Sequence, residues 1–366
     1  MRVLCVIEDP GAANGMVGLD AALAARDIRF DLYATGAALG YAPGIGLAVH
    51  DINTFPDPLP AGCALLVGTS ENPDSVIFDL ISVAKSDRIP CFGFVDGPAN
   101  AQHRFRGRTN APLAHAPDIL LVSDTAARDA FIGLGMAADS VLCVGHPHMD
   151  RVRDRKAQLD REGRAAVRTR LFPDLAAQTR LCLFAAETSD GLDPAEFQRS
   201  DAYTLTGRGE SNGRTEICLE EVIDALGILK EPSTLVLRLH PKNTPEQFAP
   251  YRDDVAALSR GGDPLEAVYA ADLVIGMTSV LLFEAAVMGR PTLAVTPRAS
   301  ERMWLSSIGL GLTPQVCTRT DLRDTLQAAL AGDGGPALDK TVDIDALVPP
   351  GAAARMAGAI ADQIRG

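Results

Sequence analysis

The stretch Ala270-Ala-Asp-Leu-Val-Ile-Gly-Met-Thr-Ser-Val-Leu-Leu-Phe-Glu-Ala-Ala-Val-Met-Gly-Arg-Pro-Thr-Leu-Ala-Val295 decides the fold. Its apolar run ends at Gly276, where a residue without a Cβ lets the chain turn and a ligand come close. Thr278 and Ser279 then open a helix, and Gly289-Arg290-Pro291 closes it before a second apolar run begins at Thr292. Strand, helix and strand joined so tightly form a βαβ unit, and such units build parallel sheets covered on both faces.

The same rhythm extends outward in both directions. Strands are predicted at 2–7, 29–34, 64–68, 90–95, 118–122 and 141–145, with helices at 13–25, 74–86 and 124–134. The second half gives strands at 180–185, 234–239, 272–276 and 292–296, and helices near 217–229, 263–271, 279–289, 321–331 and 351–365. The expected class is α/β, two Rossmann-like parallel-sheet domains with their strand ends facing a cleft. The predicted boundaries are an N-terminal domain over 1–150, a linker over 151–178 and a C-terminal nucleotide-binding domain over 179–350. A last helix over 351–366 has the first domain as its candidate neighbour. The run Arg151-Val-Arg-Asp-Arg-Lys-Ala-Gln-Leu-Asp-Arg-Glu162 reads as a charged, exposed helix, and Glu187–Arg214 reads as a long polar loop, either a flap over a site or a surface excursion.

Composition narrows the class. At 366 residues, 47% of them hydrophobic and 22% charged, each half can bury a core. The net charge of −13 argues against general nucleic-acid binding, which needs a basic surface, but leaves room for a local phosphate pocket. Seven cysteines (5, 63, 91, 143, 182, 218 and 317) form no Cys-x-x-Cys pair, so neither a disulfide framework nor a zinc site is expected. No apolar run is long enough to span a membrane, which makes the cytoplasm the default and leaves only peripheral association open.

Two motifs in the second half carry chemistry. The turn at Gly276, Thr278 and Ser279 presents backbone N–H groups, a helix dipole and two hydroxyls, which together attract an anion. An ordinary helix cap is the other reading. Further back, Leu235-Val-Leu-Arg-Leu-His240-Pro241-Lys242 ends a strand on a histidine that can donate to a phosphate or protonate a leaving group, with Lys242 adding charge. A satisfied polar residue at a strand end is the alternative for His240.

These motifs resemble the nucleotide-binding half of GT-B glycosyltransferases and of the related epimerases and hydrolases that act on nucleotide sugars. The His-Pro and Thr-Ser pair resembles in particular the polysialyltransferase, capsule polysaccharide and CDP-glycerol transferase type. The resemblance implies that Thr278 and Ser279 hold donor phosphates and that Glu284 holds the ribose.

The first half is less legible. Glu8-Asp9-Pro10-Gly11 follows the first strand but is no Gly-x-Gly-x-x-Gly fingerprint, so no dinucleotide cofactor is expected. Phe94-Val-Asp96-Gly97 puts a carboxylate at a strand end. It resembles the acidic motif that supplies the general base in polysialyltransferase-like enzymes, although a plain Asp-Gly turn fits too. Glu8, Asp9 and Glu187 are the other candidate bases, each at the end of a predicted strand. His103-Arg-Phe-Arg-Gly-Arg108 is either solvated surface or a site for an anionic acceptor, and His146 with His148 lacks a third metal ligand nearby.

The expected function is an inverting, metal-independent glycosyltransferase that moves a sugar from a CMP-, CDP- or UDP-linked donor to a glycan or other hydroxyl acceptor. A nucleotide-sugar epimerase or hydrolase on the same fold is the alternative, and a non-catalytic nucleotide-sugar binder is the third reading.

Overall fold

The structure, a computed structural model, describes residues 1–69, 71–176, 179–188, 194–229, 231–331 and 342–365. The chain divides into two compact units, Met1–Arg151 together with Val348–Gly366, and Val152–Leu347.

The first unit is built on β1 (Arg2–Ile7), β2 (Arg29–Ala34), β3 (His50–Asp51), β4 (Cys63–Gly68), β5 (Cys91–Val95), β6 (Ile119–Val122) and β7 (Val141–Cys143). All pairs are parallel, in the order β3-β2-β1-β4-β5-β6-β7. The near-continuous apolar runs exist because both faces are buried. Val3, Cys5 and Ile7 pack with Met16, Leu19 and Leu23, while Leu4 and Val6 pack with Ile77, Phe78 and Ile81 on the other face. Each such side chain contributes about 1.5–3 kcal/mol when fully buried.

The helix Ala352–Arg365 belongs to this unit and sets Met356, Ala357 and Ile360 into the first of those clusters. Asp150 holds its start by accepting from Gly351 N and Ala352 N, both at 2.8 Å. The single helix expected over 13–25 is two, Pro10–Asn14 and Leu19–Ala24. The break lies at Gly18, whose φ of 72° is left-handed and interrupts the helical ladder that the apolar spacing suggests.

The second unit is built on β8 (Arg180–Ala185), β9 (Ser233–Arg238), β10 (Ala257–Ser259), β11 (Leu273–Gly276), β12 (Thr292–Val295) and β13 (Gln315–Val316). They too are all parallel, in the order β10-β9-β8-β11-β12-β13. Cys182, Phe184, Leu237 and Ile275 face Ile217 and Val222 of the helix Arg214–Ile228 and Leu322 and Leu326 of the helix Arg319–Leu330.

The charged stretch after Arg151 lies in the helices Pro147–Glu162 and Arg164–Leu171; residues 177 and 178 of the predicted linker lie outside the described residues. Residues 154, 157, 158 and 160–162 are exposed as expected, but other arginines along these two helices are held by ion pairs. Arg155 reaches Asp263 at 2.6 Å and Glu266 at 2.5 Å, and Arg164 and Arg168 both pair with Asp272.

The long polar loop is tied down as well. Residues 189–193 lie outside the described residues, but 198–213 form a packed excursion closed by a bridge between Gln198 and Gly213. Buried Glu221 accepts from Thr206 N (3.1 Å) and Gly207 N (2.8 Å), and buried Glu220 accepts from Arg208 N (2.6 Å) and Ser211 Oγ (2.5 Å). Loop backbone that would otherwise be unsatisfied is thus paired from beneath by helix carboxylates.

Among the described residues, no helix is long and apolar enough to cross a membrane. In each sheet the chain winds one way, then crosses the first strand to wind the other way. The reversals lie between β1 and β4 and between β8 and β11, and in open α/β sheets ligands bind at the strand ends beside such a reversal.

Candidate functional site

At the reversal of the second unit, the segments that follow β8 and β11 are joined by one side chain. Glu187 Oε1 accepts from Thr278 N at 2.6 Å, and Oε2 accepts from Thr278 Oγ1 at 3.0 Å. Arg214, fully buried, donates to Glu187 Oε2 at 2.9 Å and to Thr278 Oγ1 at 3.1 Å. Its remaining donors meet buried Glu301 Oε2, from Nε at 2.9 Å and from Nη2 at 2.5 Å. Burial alone would lower the Arg214 pKa, but Glu187 and Glu301 outweigh it and hold the guanidinium above its usual value. Arg298 adds a second cation on Glu301 at 2.8 Å, and both guanidinium groups lie 5.3 Å from the Trp304 ring centre.

Ser279 caps the helix Val280–Val287, its Oγ accepting from Leu281 N at 3.3 Å. Glu284 lies buried within that helix. Gly276 is not demanded by its surroundings, since an added Cβ would meet Ala185 at 3.4 Å, an ordinary contact. His240 follows β9, and its Nδ1 accepts from Lys242 N at 3.2 Å, which leaves Nε2 to carry the proton. Burial, helped by the charge of Lys242 and opposed by that of Glu187, pushes the imidazole below its usual value, so it is a neutral donor at pH 7. The Lys242 side chain is exposed.

These positions correct one expectation. Glu187 is not placed as a base, because both its oxygens are taken by Thr278 and Arg214. Arg214, Glu301 and Arg298 were not anticipated. The signal for Glu301 and Arg298 was their place just past β12, whereas Arg214, at the end of the polar loop, gave none.

In the first unit, the β1 and β5 ends bring two carboxylates together. Asp9 caps the helix Pro10–Asn14, accepting from Ala12 N at 2.8 Å. Burial, opposed by that N–H and reinforced by Asp96, pushes its carboxyl from 3.8 up to about 6. A Cβ on Gly11 would overlap Asp96 Oδ2, so this glycine leaves room for the Asp96 carboxylate beside the helix that Asp9 caps.

Arg104 Nη2 lies 3.2 Å from Asp96 Oδ1 without hydrogen-bond geometry, and that buried oxygen has no hydrogen-bond partner among the described residues. Charge attraction therefore holds the pair. His146 is buried edge-on to Phe94 and accepts from His148 N at 3.3 Å. Burial and then the charge of His148 push it down to about 4, so it too is neutral.

Glu8 is placed differently from the base proposed for it. Its Oε1 accepts from Val76 N at 3.3 Å and its carbonyl accepts from Ala38 N at 3.0 Å. The basic loop 103–108 is largely committed within the first unit. Arg104 turns in to Asp96, Phe105 enters the core, and Arg108 pairs with Asp74.

No protein-family model and no curated protein matches the chain. Solved structures do match over its whole length. UDP-GlcNAc 2-epimerase from Neisseria meningitidis, bound to UDP-GlcNAc, is 14% identical with a TM-score of 0.67, covering 100% of both chains. The Methanocaldococcus jannaschii UDP-GlcNAc 2-epimerase is 11% identical with a TM-score of 0.65, covering 98% of this chain and 99% of that one. Alr3699/HepE of Anabaena, in complex with UDP-glucose, is 15% identical with a TM-score of 0.54, covering 99% and 95%.

This likeness shows the fold, two Rossmann-like parallel-sheet units of the GT-B-like kind, as the sequence predicts. It also corrects the expected activity. The whole-length matches include UDP-GlcNAc 2-epimerases of Neisseria meningitidis and Methanocaldococcus jannaschii, with UDP-GlcNAc bound in both, rather than the polysialyltransferase or CDP-glycerol transferase type. The transferase expectation rested on two short motifs, and a phosphate-binding turn is common to both chemistries.

Proposed function

We propose that the protein is a nucleotide-sugar epimerase acting on a UDP-linked sugar. The whole-length likeness to UDP-GlcNAc 2-epimerases carries this reading, and the Asp9–Asp96 pair supports it chemically. Inverting a carbon that bears hydrogen takes one group to remove the proton and another to return one to the opposite face. The hydrogen on C2 of a UDP-sugar lies beside no carbonyl. Its removal is eased when the C2–H electron pair becomes C1=C2 and the C1–O bond breaks, releasing UDP. Return of the phosphate oxygen to C1 and of a proton to C2 closes the cycle.

The reading assigns nucleotide binding to the second unit. Thr278, Arg214 and the helix capped by Ser279 hold the diphosphate, neutral His240 and Lys242 donate to it as it departs, and Glu284 takes the ribose. Proton transfer falls to the first unit. Asp96 is the base, and Asp9, its carboxyl pushed up to about 6, is the acid.

The test is incubation with UDP-GlcNAc, UDP-glucose and other UDP-sugars, followed by separation of the 2-epimers. An epimer formed without net loss of nucleotide supports the reading. Free UDP accumulating stoichiometrically with free sugar points to a hydrolase, and binding with no chemistry points to a passive binder.

A further inference from the structure

We infer that Glu187 is an internal anion that fills the place of the substrate's diphosphate, so that only a ligand carrying its own phosphate charge displaces it. The inference rests on the nucleotide-sugar reading of this site.

Three observations carry it. First, the carboxylate lies at the β8/β11 reversal, where a ligand's charged group is expected, rather than beside it. Second, it uses the donors that a phosphate would use, namely Thr278 N at 2.6 Å, Thr278 Oγ1 at 3.0 Å and Arg214 at 2.9 Å. A carboxylate with two oxygens on three donors is a geometric stand-in for two phosphate oxygens.

Third, the surroundings stay in place when it leaves. Arg214 remains fixed by two bonds to Glu301, and Thr215 Oγ1 donates to the Glu187 carbonyl at 2.9 Å, so the exchange needs a side-chain rotation and no backbone movement. Anion replaces anion, and the buried guanidinium is never left without a counter-charge. A nucleoside or a free sugar has no charge to offer Arg214 and cannot make the exchange. Glu187 thereby sets the affinity for the diphosphate, because every ligand that places an anion here must first displace it.

Calorimetric titration of wild type, Glu187→Gln and Glu187→Ala with uridine, UDP and inorganic pyrophosphate tests this. Removing the competing carboxylate should tighten pyrophosphate and UDP by roughly tenfold or more, the scale of one charge-assisted hydrogen bond, and leave uridine unchanged. Pyrophosphate affinity equal to or weaker than wild type in both variants overturns the inference, as does failure of pyrophosphate to bind any of the proteins. Tighter pyrophosphate with no UDP binding keeps the inference and removes the nucleotide reading. If the variants fail to fold, a wild-type crystal soaked in pyrophosphate decides. The Glu187 carboxylate off Thr278 with pyrophosphate in its place supports the inference, and Glu187 still on Thr278 overturns it.

Discussion

Asp9→Asn should make the protein more stable and less active. In the fold, burial opposed by the Ala12 N–H and reinforced by Asp96 raises the Asp9 carboxyl from 3.8 to about 6. A folded value above the unfolded one means that the stabilising contribution is fully present below about pH 4 and is lost as pH rises through about 6. The gap between 3.8 and about 6, at about 1.36 kcal/mol per pH unit, is about 3 kcal/mol. Asparagine caps a helix about as well as aspartate and can keep the bond from Ala12 N at 2.8 Å. The variant should therefore exceed wild type by about 2–3 kcal/mol near pH 7.5 and converge on it near pH 4. His146, pushed down to about 4, contributes the opposite slope, with stability lost as pH falls below 6.5. That slope is common to both proteins, so their difference isolates Asp9. Urea unfolding followed by circular dichroism across this range measures it. A variant less stable than wild type near neutral pH, or a difference that ignores pH, would refute the reasoning.

Asp96→Asn should lower turnover by roughly 10²–10⁴ while leaving UDP affinity intact, read from kinetics and calorimetry on the same sample. Arg214→Met should cost about 3–5 kcal/mol, because it leaves Glu187 and buried Glu301 short of a counter-charge; a melting temperature close to wild type would argue against the buried network. Trp304, the chain's one tryptophan, lies 5.3 Å from Arg214, so UDP binding should change its emission, and a silent titration at saturating UDP would count against the ligand reaching Arg214.

The strands that carry the cores were legible because burial on both faces demands unbroken apolar runs, such as Leu273–Gly276 and Cys63–Gly68. Three short strands, His50–Asp51, Ala257–Ser259 and Gln315–Val316, have no such run and were not predicted. Glu220 and Glu221, acids within the predicted helix 217–229, are buried because they accept from loop backbone that folds over them. Arg214 was invisible for the same reason, since a buried charge is explained only by partners far away in sequence, Glu301 above all. The Thr278–Ser279 turn was singled out by local chemistry, but local chemistry does not distinguish transfer of a sugar from inversion of one of its carbons.

Incubation with UDP-GlcNAc and related UDP-sugars in D2O, followed by proton NMR of the recovered nucleotide sugar, tests the central claim most directly. The account predicts that at least one UDP-sugar returns as a mixture of 2-epimers carrying deuterium at C2, and that Asp96→Asn suppresses both signals together. Recovery of every UDP-sugar unchanged, with full proton occupancy at C2, would contradict it.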